Sequence, residues 1–168
     1  YVLDASRRVR MAALERRGLD GEIEPVTQVP GYFRVNYHLR GLPRISIIIP
    51  TRDGGNVLRV CIDSILAKSS YRNFEIVILD NGSTDSATID YLQAINGTEN
   101  IRVIRHDKPF NFSELNNIGA GQATGQLLLF LNDDAEVVSG DWMERMGGFA
   151  LLPHIGAVGA KLIYPKTS

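Results

Sequence analysis

Four short apolar runs, each separated from the next by enough chain for one helix, constrain the fold of this protein more than any other feature. They are "ISIII" (45–49), "FEIVIL" (74–79), "IRVI" (101–104) and "QLLLFL" (126–131). Their β-branched residues run on without an apolar/polar alternation, the pattern of a strand covered on both faces. Between them the spacing turns helical. Val57, Leu58, Cys61, Ile62, Ile65 and Leu66 share one face, Ile89, Leu92 and Ile95 another, and Ser113 is placed to cap a helix over 114–123. Trp142, Met143, Met146 and Phe149 mark a further helix, and "AVGAKLIY" (157–164) reads as a last strand. Strands alternating with helices predict an α/β domain built on a mainly parallel sheet.

The first 43 residues have a different texture. Residues 1–17 are good helix formers and carry five arginines against Asp4 and Glu15; Gly18 supplies a stop. A solvated helix face explains that basic run better than a membrane or phosphate contact does. Residues 18–43, with Gly18, Gly21, Pro25, Pro30, Gly31, Gly41 and Pro43, read as an extended linker. The expected division is therefore 1–43, helix and linker, and 44–168, an α/β domain. Starting at Tyr1, the 168 residues read as part of a longer polypeptide.

A formal net charge of -1 gives no electrostatic case for nucleic acid as a partner. The single cysteine, Cys61, excludes an internal disulfide and a cysteine-based zinc site. No apolar run approaches the ~18 residues that a membrane span needs.

The chemistry lies where the strands end. Open parallel sheets bind ligands at the carboxyl ends of their strands. Here those exits are "PTRD" (50–53), "DNGSTD" (80–85) and "NDD" (132–134). Each taken singly is ordinary turn material, with Asp85 as a helix cap. Three such exits on one sheet edge crowd several carboxylates together. A divalent cation with oxygen ligands relieves that repulsion, and a diphosphate is its natural companion.

In order and spacing, "ISIIIPTRDGGNVLRVCIDSIL", "NFEIVILDNGSTD", "PFNFSELNNIGAGQATGQLLLFLNDDAEV" and "GAVGAKLIYP" resemble glycosyltransferase family 2 over residues 44 to 165. "GYFRVNYHL" upstream resembles bacterial members found within multi-domain proteins. The resemblance implies a Rossmann-like nucleotide-diphospho-sugar transferase fold. It also implies inverting transfer of a sugar from a nucleotide diphosphate-sugar to a glycan or lipid-linked acceptor, at the cytoplasmic side or peripherally at the inner face of the membrane. Position by position, Pro50, Thr51 and Asp53 would line the base and ribose pocket, and Asp80 and Asn81 would meet base or ribose. Asn132, Asp133 and Asp134 stand at the family's Asp-x-Asp motif. Asp134 would be the ligand of Mg²⁺ or Mn²⁺, with Asp133 reaching the ribose or a metal-bound water. Many members have Asp-Asp where this chain has Asp80-Asn81, and a neutral Asn both donates and accepts hydrogen bonds. UDP is favoured on family frequency, with dTDP and GDP open. The general base is expected beyond Ser168, in the acceptor half.

Two other readings stand beside this one: a fragment that binds nucleotide-sugar without turnover, and a sugar-1-phosphate nucleotidyltransferase. The second wants a Gly-rich loop with an Arg directly after the first strand, and "PTRDGG" lacks that glycine pattern. "GAGQATG" (119–125) follows a helix and precedes a strand, the wrong order for a dinucleotide fingerprint, and reads as close helix packing. His38, His106 and His154 form no metal set by spacing. Lys108, Phe110, Phe112 and Asn117 are candidates for the rim of the donor site, with surface and loop roles equally open.

Overall fold

The computed structural model describes residues 2–98 and 100–164; residues 1, 99 and 165–168 lie outside the description. The chain forms two units, one spanning Leu42–Asp141 and one made of the segments before and after it.

In the first unit, β3 (Ile45–Thr51), β4 (Phe74–Asp80), β5 (Ile101–Arg105) and β6 (Leu127–Phe130) form a four-stranded sheet in the order β5-β4-β3-β6. Every pairing is parallel, as predicted. α2 (Gly55–Lys68), α3 (Ser86–Ile95) and α4 (Phe112–Gln122) are the crossovers. β3 and β4 are buried at every position, which explains their unbroken apolar sequence. Their central residues Ile47, Ile48, Ile49, Ile76, Val77, Ile78 and Leu79 are fully inaccessible.

α4 packs on the sheet through Leu115, which joins Ile48, Val77 and Leu79 in one cluster. Gly119 makes that approach possible: a Cβ there would lie 2.5 Å from Ile48 Cγ2 and 2.9 Å from Leu79 Cδ2. The glycine-rich run is therefore close helix packing, as its sequence order implied. α4 begins two residues earlier than expected, because Asn111 rather than Ser113 is its cap and accepts from the Glu114 N–H at 3.1 Å. Either residue type can cap; the one whose side chain reaches the third N–H does so. Asp85 caps α3 as predicted, accepting from the Thr88 N–H at 2.8 Å.

In the second unit, α1 (Val2–Arg16) is the expected helix. The expected linker is corrected: β1 (Gly21–Pro25) and β2 (Phe33–Tyr37) pair antiparallel as a hairpin. The short "GEIEP" strand hid from a periodicity search because it buries one residue, Ile23. Arg7 Nε donates to the Ile23 carbonyl, and the Arg10 guanidinium lies 4.5 Å from the Phe33 ring centre. α5 (Trp142–Ala150) follows the predicted helical face and meets β2 edge-to-face through Phe149 and Tyr37. The strand expected at 157–164 is absent: those residues join no ladder, and Leu162, Ile163 and Tyr164 are 83%, 69% and 91% exposed. Apolar, β-branched composition makes a segment fit for a strand, but the ladder needs a neighbour. Among the described residues no helix is long and apolar enough to cross a membrane.

Candidate functional site

The strand order creates the crevice. From β3 the chain moves outward through β4 to β5, then returns to the other side of β3 as β6. The direction reverses between β3 and β6, and a parallel sheet opens at its carboxyl edge at such a point. β6 pairs with β3 only as far as Ile48↔Phe130, while β3 continues through Ile49 and Pro50 to Thr51.

Two of the predicted exits meet there. Thr51 Oγ1 donates to Asp133 Oδ2 at 2.6 Å, joining residues 82 positions apart. Gly54 makes room for this bond, since a Cβ would lie 2.5 Å from Thr51 Oγ1 and 3.0 Å from Asp133 Oδ2. The stretch after β6 has no regular structure and is held along α2 instead. Ser64 Oγ accepts from the Val137 N–H at 3.0 Å, Lys68 Nζ donates to Glu136 at 2.6 Å, and the Ser70 N–H donates to the Gly140 carbonyl. These anchors leave Asp133 and Asp134 at the mouth of the crevice. The salt bridges among the described residues engage Glu75, Asp80, Asp53, Asp107, Glu114 and Glu136 in this unit, and none reaches Asp133 or Asp134. Their charge is felt nearby: burial first, then Asp133 and Asp134, push the Cys61 thiol up to about 12.

The third exit lies on the β4 side. The Asn81 N–H donates to the Thr51 carbonyl at 2.8 Å. Asp80 is buried and engaged on both oxygens, by the Ser83 N–H at 2.9 Å and by Arg105 Nη1 at 2.9 Å. Asn81 Nδ2 donates to the carbonyls of His106 and Lys108, at 2.9 and 2.8 Å, and its Oδ1 is buried without a partner. Asp53 takes the left-handed conformation, φ 51°, and accepts from the N–H groups of Thr84 and Asp85. Those two bonds, that of Asp85 first, hold its carboxyl below the usual carboxylate range.

All seven predicted site residues thus stand at the carboxyl edge of one sheet. Pro50 and Thr51 end β3, Asp53 lies in the next loop, Asp80 ends β4 with Asn81 behind it, and Asp133 and Asp134 follow β6. Of the rim candidates, Phe110 and Phe112 are 63% and 48% exposed before and at the start of α4, and Asn117 is exposed on it. The histidines are scattered in their contacts, His106 beside Glu114 at 3.2 Å and His38 beside Asp20 at 2.9 Å. Sequence reasoning missed Gly54, Ser83 and Arg105. Only the paired glycine in "PTRDGG" carried a trace of the first; the other two are turn and strand residues without a local signature.

Among the described residues no group of three or more His, Cys, Asp or Glu side chains could hold a metal ion by itself. The donor set still fits one kind of ion. Mg²⁺ and similar cations are commonly held by one or two carboxylates, with substrate phosphate oxygens and waters completing the shell. Two adjacent carboxylates free of basic partners among the described residues, one oriented by a threonine, match that arrangement.

Comparison with known proteins follows the same lines. Residues 46–166 match the family model described as "Glycosyl transferase family 2". The chain is 41% identical over 168 residues to the protein y4gI of Sinorhizobium fredii and 39% identical over 166 residues to the O-antigen biosynthesis protein RfbC of Myxococcus xanthus. It spans 18% and 13% of their respective lengths. A PGL/p-HBAD biosynthesis glycosyltransferase of Mycobacterium bovis shares 38% identity over 108 residues, 64% of this chain and 41% of that one. Among solved structures, a mannosyltransferase from Pyrobaculum calidifontis in complex with GDP-Man and Mn²⁺ is similar with a TM-score of 0.64, at 17% identity, over 90% of this chain and 42% of its own. S. aureus TarS 1–349 in complex with UDP-GlcNAc gives 0.54 at 23% identity, over 64% of this chain and 31% of its own. At these identities the structural likeness speaks for the fold, and the sequence match speaks for the family: the chain belongs to glycosyl transferase family 2.

Proposed function

We propose that this chain is the donor-binding part of an inverting glycosyltransferase, taking a sugar from a nucleoside diphosphate-sugar with Mg²⁺ or Mn²⁺ and passing it to a glycan or lipid-linked acceptor. The observation that carries the reading is the crevice at the β3/β6 reversal, where Thr51 orients Asp133 and the neighbouring Asp134 has no basic partner among the described residues. Family membership, and fold neighbours bound to GDP-Man with Mn²⁺ or to UDP-GlcNAc, support it.

In this reading Asp134 is the metal ligand and Asp133 accepts from the ribose or a metal-bound water. A bound divalent cation supplies charge stabilisation for the departing diphosphate. Pro50, Thr51 and Asp53 frame the nucleoside pocket on one side, Asp80 and Asn81 on the other.

The orientation of Asn81 supports a preference among bases. Turning its amide over would set Oδ1 against the two carbonyl oxygens of His106 and Lys108, so Nδ2 stays with them and the oxygen remains an acceptor. A buried acceptor left alone costs about 1–3 kcal/mol, and once nucleotide binding uncovers it an N–H of uracil, thymine or guanine would relieve that cost. Cytosine offers a ring acceptor at the equivalent place and keeps a donor only on its exocyclic amine.

Calorimetry tests both parts. UDP, dTDP or GDP should bind more tightly with Mn²⁺ than with EDTA, and CDP should bind least well. Equal affinity with and without metal rejects the role of Asp134. Binding of CDP on a par with UDP rejects that of Asn81.

A further inference from the structure

We infer that Asp53 is a positioning residue: its carboxylate ties the loop after β3 to the loop after β4 and so sets where Asn81 stands. The inference rests on the donor reading for its functional consequence but not for its geometry. Asp53 Oδ1 accepts from the Thr84 N–H at 2.7 Å and from the Asp85 N–H at 2.8 Å. Its own N–H donates to Ser83 Oγ at 2.9 Å, and Thr84 Oγ1 stands 3.5 Å from Oδ2. Three consecutive residues of one loop are therefore held by a single residue of the other. Ser83 passes the constraint on, because its N–H donates to Asp80 Oδ1 and its carbonyl accepts from Arg105 Nη1 at 3.2 Å. Asn81 lies between these fixed points, and its N–H reaches back to the Thr51 carbonyl.

The backbone explains why aspartate serves here. At φ 51° the position favours Gly, Asn and Asp. Of these only Asp brings a charged acceptor, which makes shorter and stronger bonds to N–H groups. The two partners of Asp53, Thr84 and Asp85, immediately precede α3, where the helix dipole favours an anion. Arg52 Nε lies 4.0 Å from Asp53 Oδ2. The sequence placed Asp53 on the pocket wall as a ligand contact; the structure uses both acceptor sites of Oδ1 within the protein.

Substitution separates backbone from carboxylate. Asp53→Asn keeps the left-handed preference and a neutral acceptor; Asp53→Gly keeps the conformation and removes the acceptor. In ¹⁵N-labelled protein without ligand, Asp53→Gly should speed hydrogen exchange at the Thr84 and Asp85 amides roughly tenfold and move the Asn81 resonances. Asp53→Asn should fall between Gly and wild type. Retained protection at Ile47 and Ile78 in both variants reports an intact sheet. Affinity for UDP with Mn²⁺ should follow the same order, roughly tenfold weaker for Asp53→Gly. Wild-type exchange at Thr84 and Asp85 in Asp53→Gly overturns the inference, and so does wild-type affinity. If wild-type protein binds no nucleoside diphosphate, the donor reading fails, and the exchange rates alone decide whether Asp53 holds the loop.

Discussion

Asp133 and Asp134 are neighbours in sequence with different standing in the structure. One oxygen of Asp133 is occupied by Thr51, while among the described residues no side-chain hydrogen bond or ion pair engages Asp134. Asp134→Ala should therefore abolish most of the affinity difference between Mn²⁺ and EDTA, as calorimetry with UDP would show. Asp133→Ala should cost on the order of 1.5–3 kcal/mol of binding if its charge-assisted bond to the donor is buried. Gly54→Ala tests the crossing bond with both carboxylates kept in the sequence: its new Cβ would fall 2.5 Å from Thr51 Oγ1 and 3.0 Å from Asp133 Oδ2, so UDP affinity should drop while the far-ultraviolet spectrum stays unchanged. Cys61 reports the same acidic corner. With its thiol pushed up to about 12, it should resist alkylation at pH 8 in the folded protein and react once urea unfolds it. Rapid alkylation of native protein would contradict that burial. The exits themselves were legible as Asp, Asn, Gly, Ser and Thr following apolar runs. The bond from Thr51 to Asp133 was not, because a side-chain partner 82 residues away leaves no local trace.

At the level of elements, the helices read well where their apolar spacing was regular, and their ends read less well. α4 shows both. Its close packing was read from the glycine-rich run, yet its cap was Asn111 rather than Ser113, a choice made by which side chain reached the Glu114 N–H. Asn111→Ala should lower stability by about 1 kcal/mol in a urea titration, and Ser113→Ala should do much less. Gly119→Ala tests the packing of the same helix. A methyl group aimed at Ile48 and Leu79 from 2.5 and 2.9 Å overfills the interface, and about 1–3 kcal/mol of destabilisation is expected. An unchanged urea midpoint would mean that α4 can move away from the sheet at no cost. The hairpin of β1 and β2 escaped detection for the opposite reason: it buries so little that its sequence looks like a linker.

At the scale of the molecule, the far edge of the parallel sheet balances the acidic one. Glu75, buried at the start of β4, accepts from Ser46 Oγ at 2.6 Å and from the N–H and hydroxyl of Thr124, with Arg44 and Arg102 within 3.7 Å. Burial alone would raise its pKa, but those hydrogen bonds and the charge of Arg44 outweigh it and hold the group below the usual carboxylate range. A carboxylate with a lowered folded pKa stabilises fully above its unfolded value and loses that contribution as pH falls through the folded one. The melting temperature should therefore fall as pH drops below about 4.5, and Glu75→Gln should be less stable at pH 7 with a shallower acid slope. Parallel acid slopes for both proteins would remove Glu75 from that role. Sequence alone determined the alternation of strand and helix, the burial of β3 and β4, and which residues leave the sheet at its carboxyl edge. These are properties of consecutive residues, written as periodicity and turn chemistry. Only the tertiary structure decided that β6 returns beside β3, that Thr51 meets Asp133 across the reversal, that Asp53 binds a neighbouring loop, and that residues 157–164 have no ladder to join. Each of those depends on which distant segments come within hydrogen-bond reach, and no run of neighbouring residues encodes that by itself.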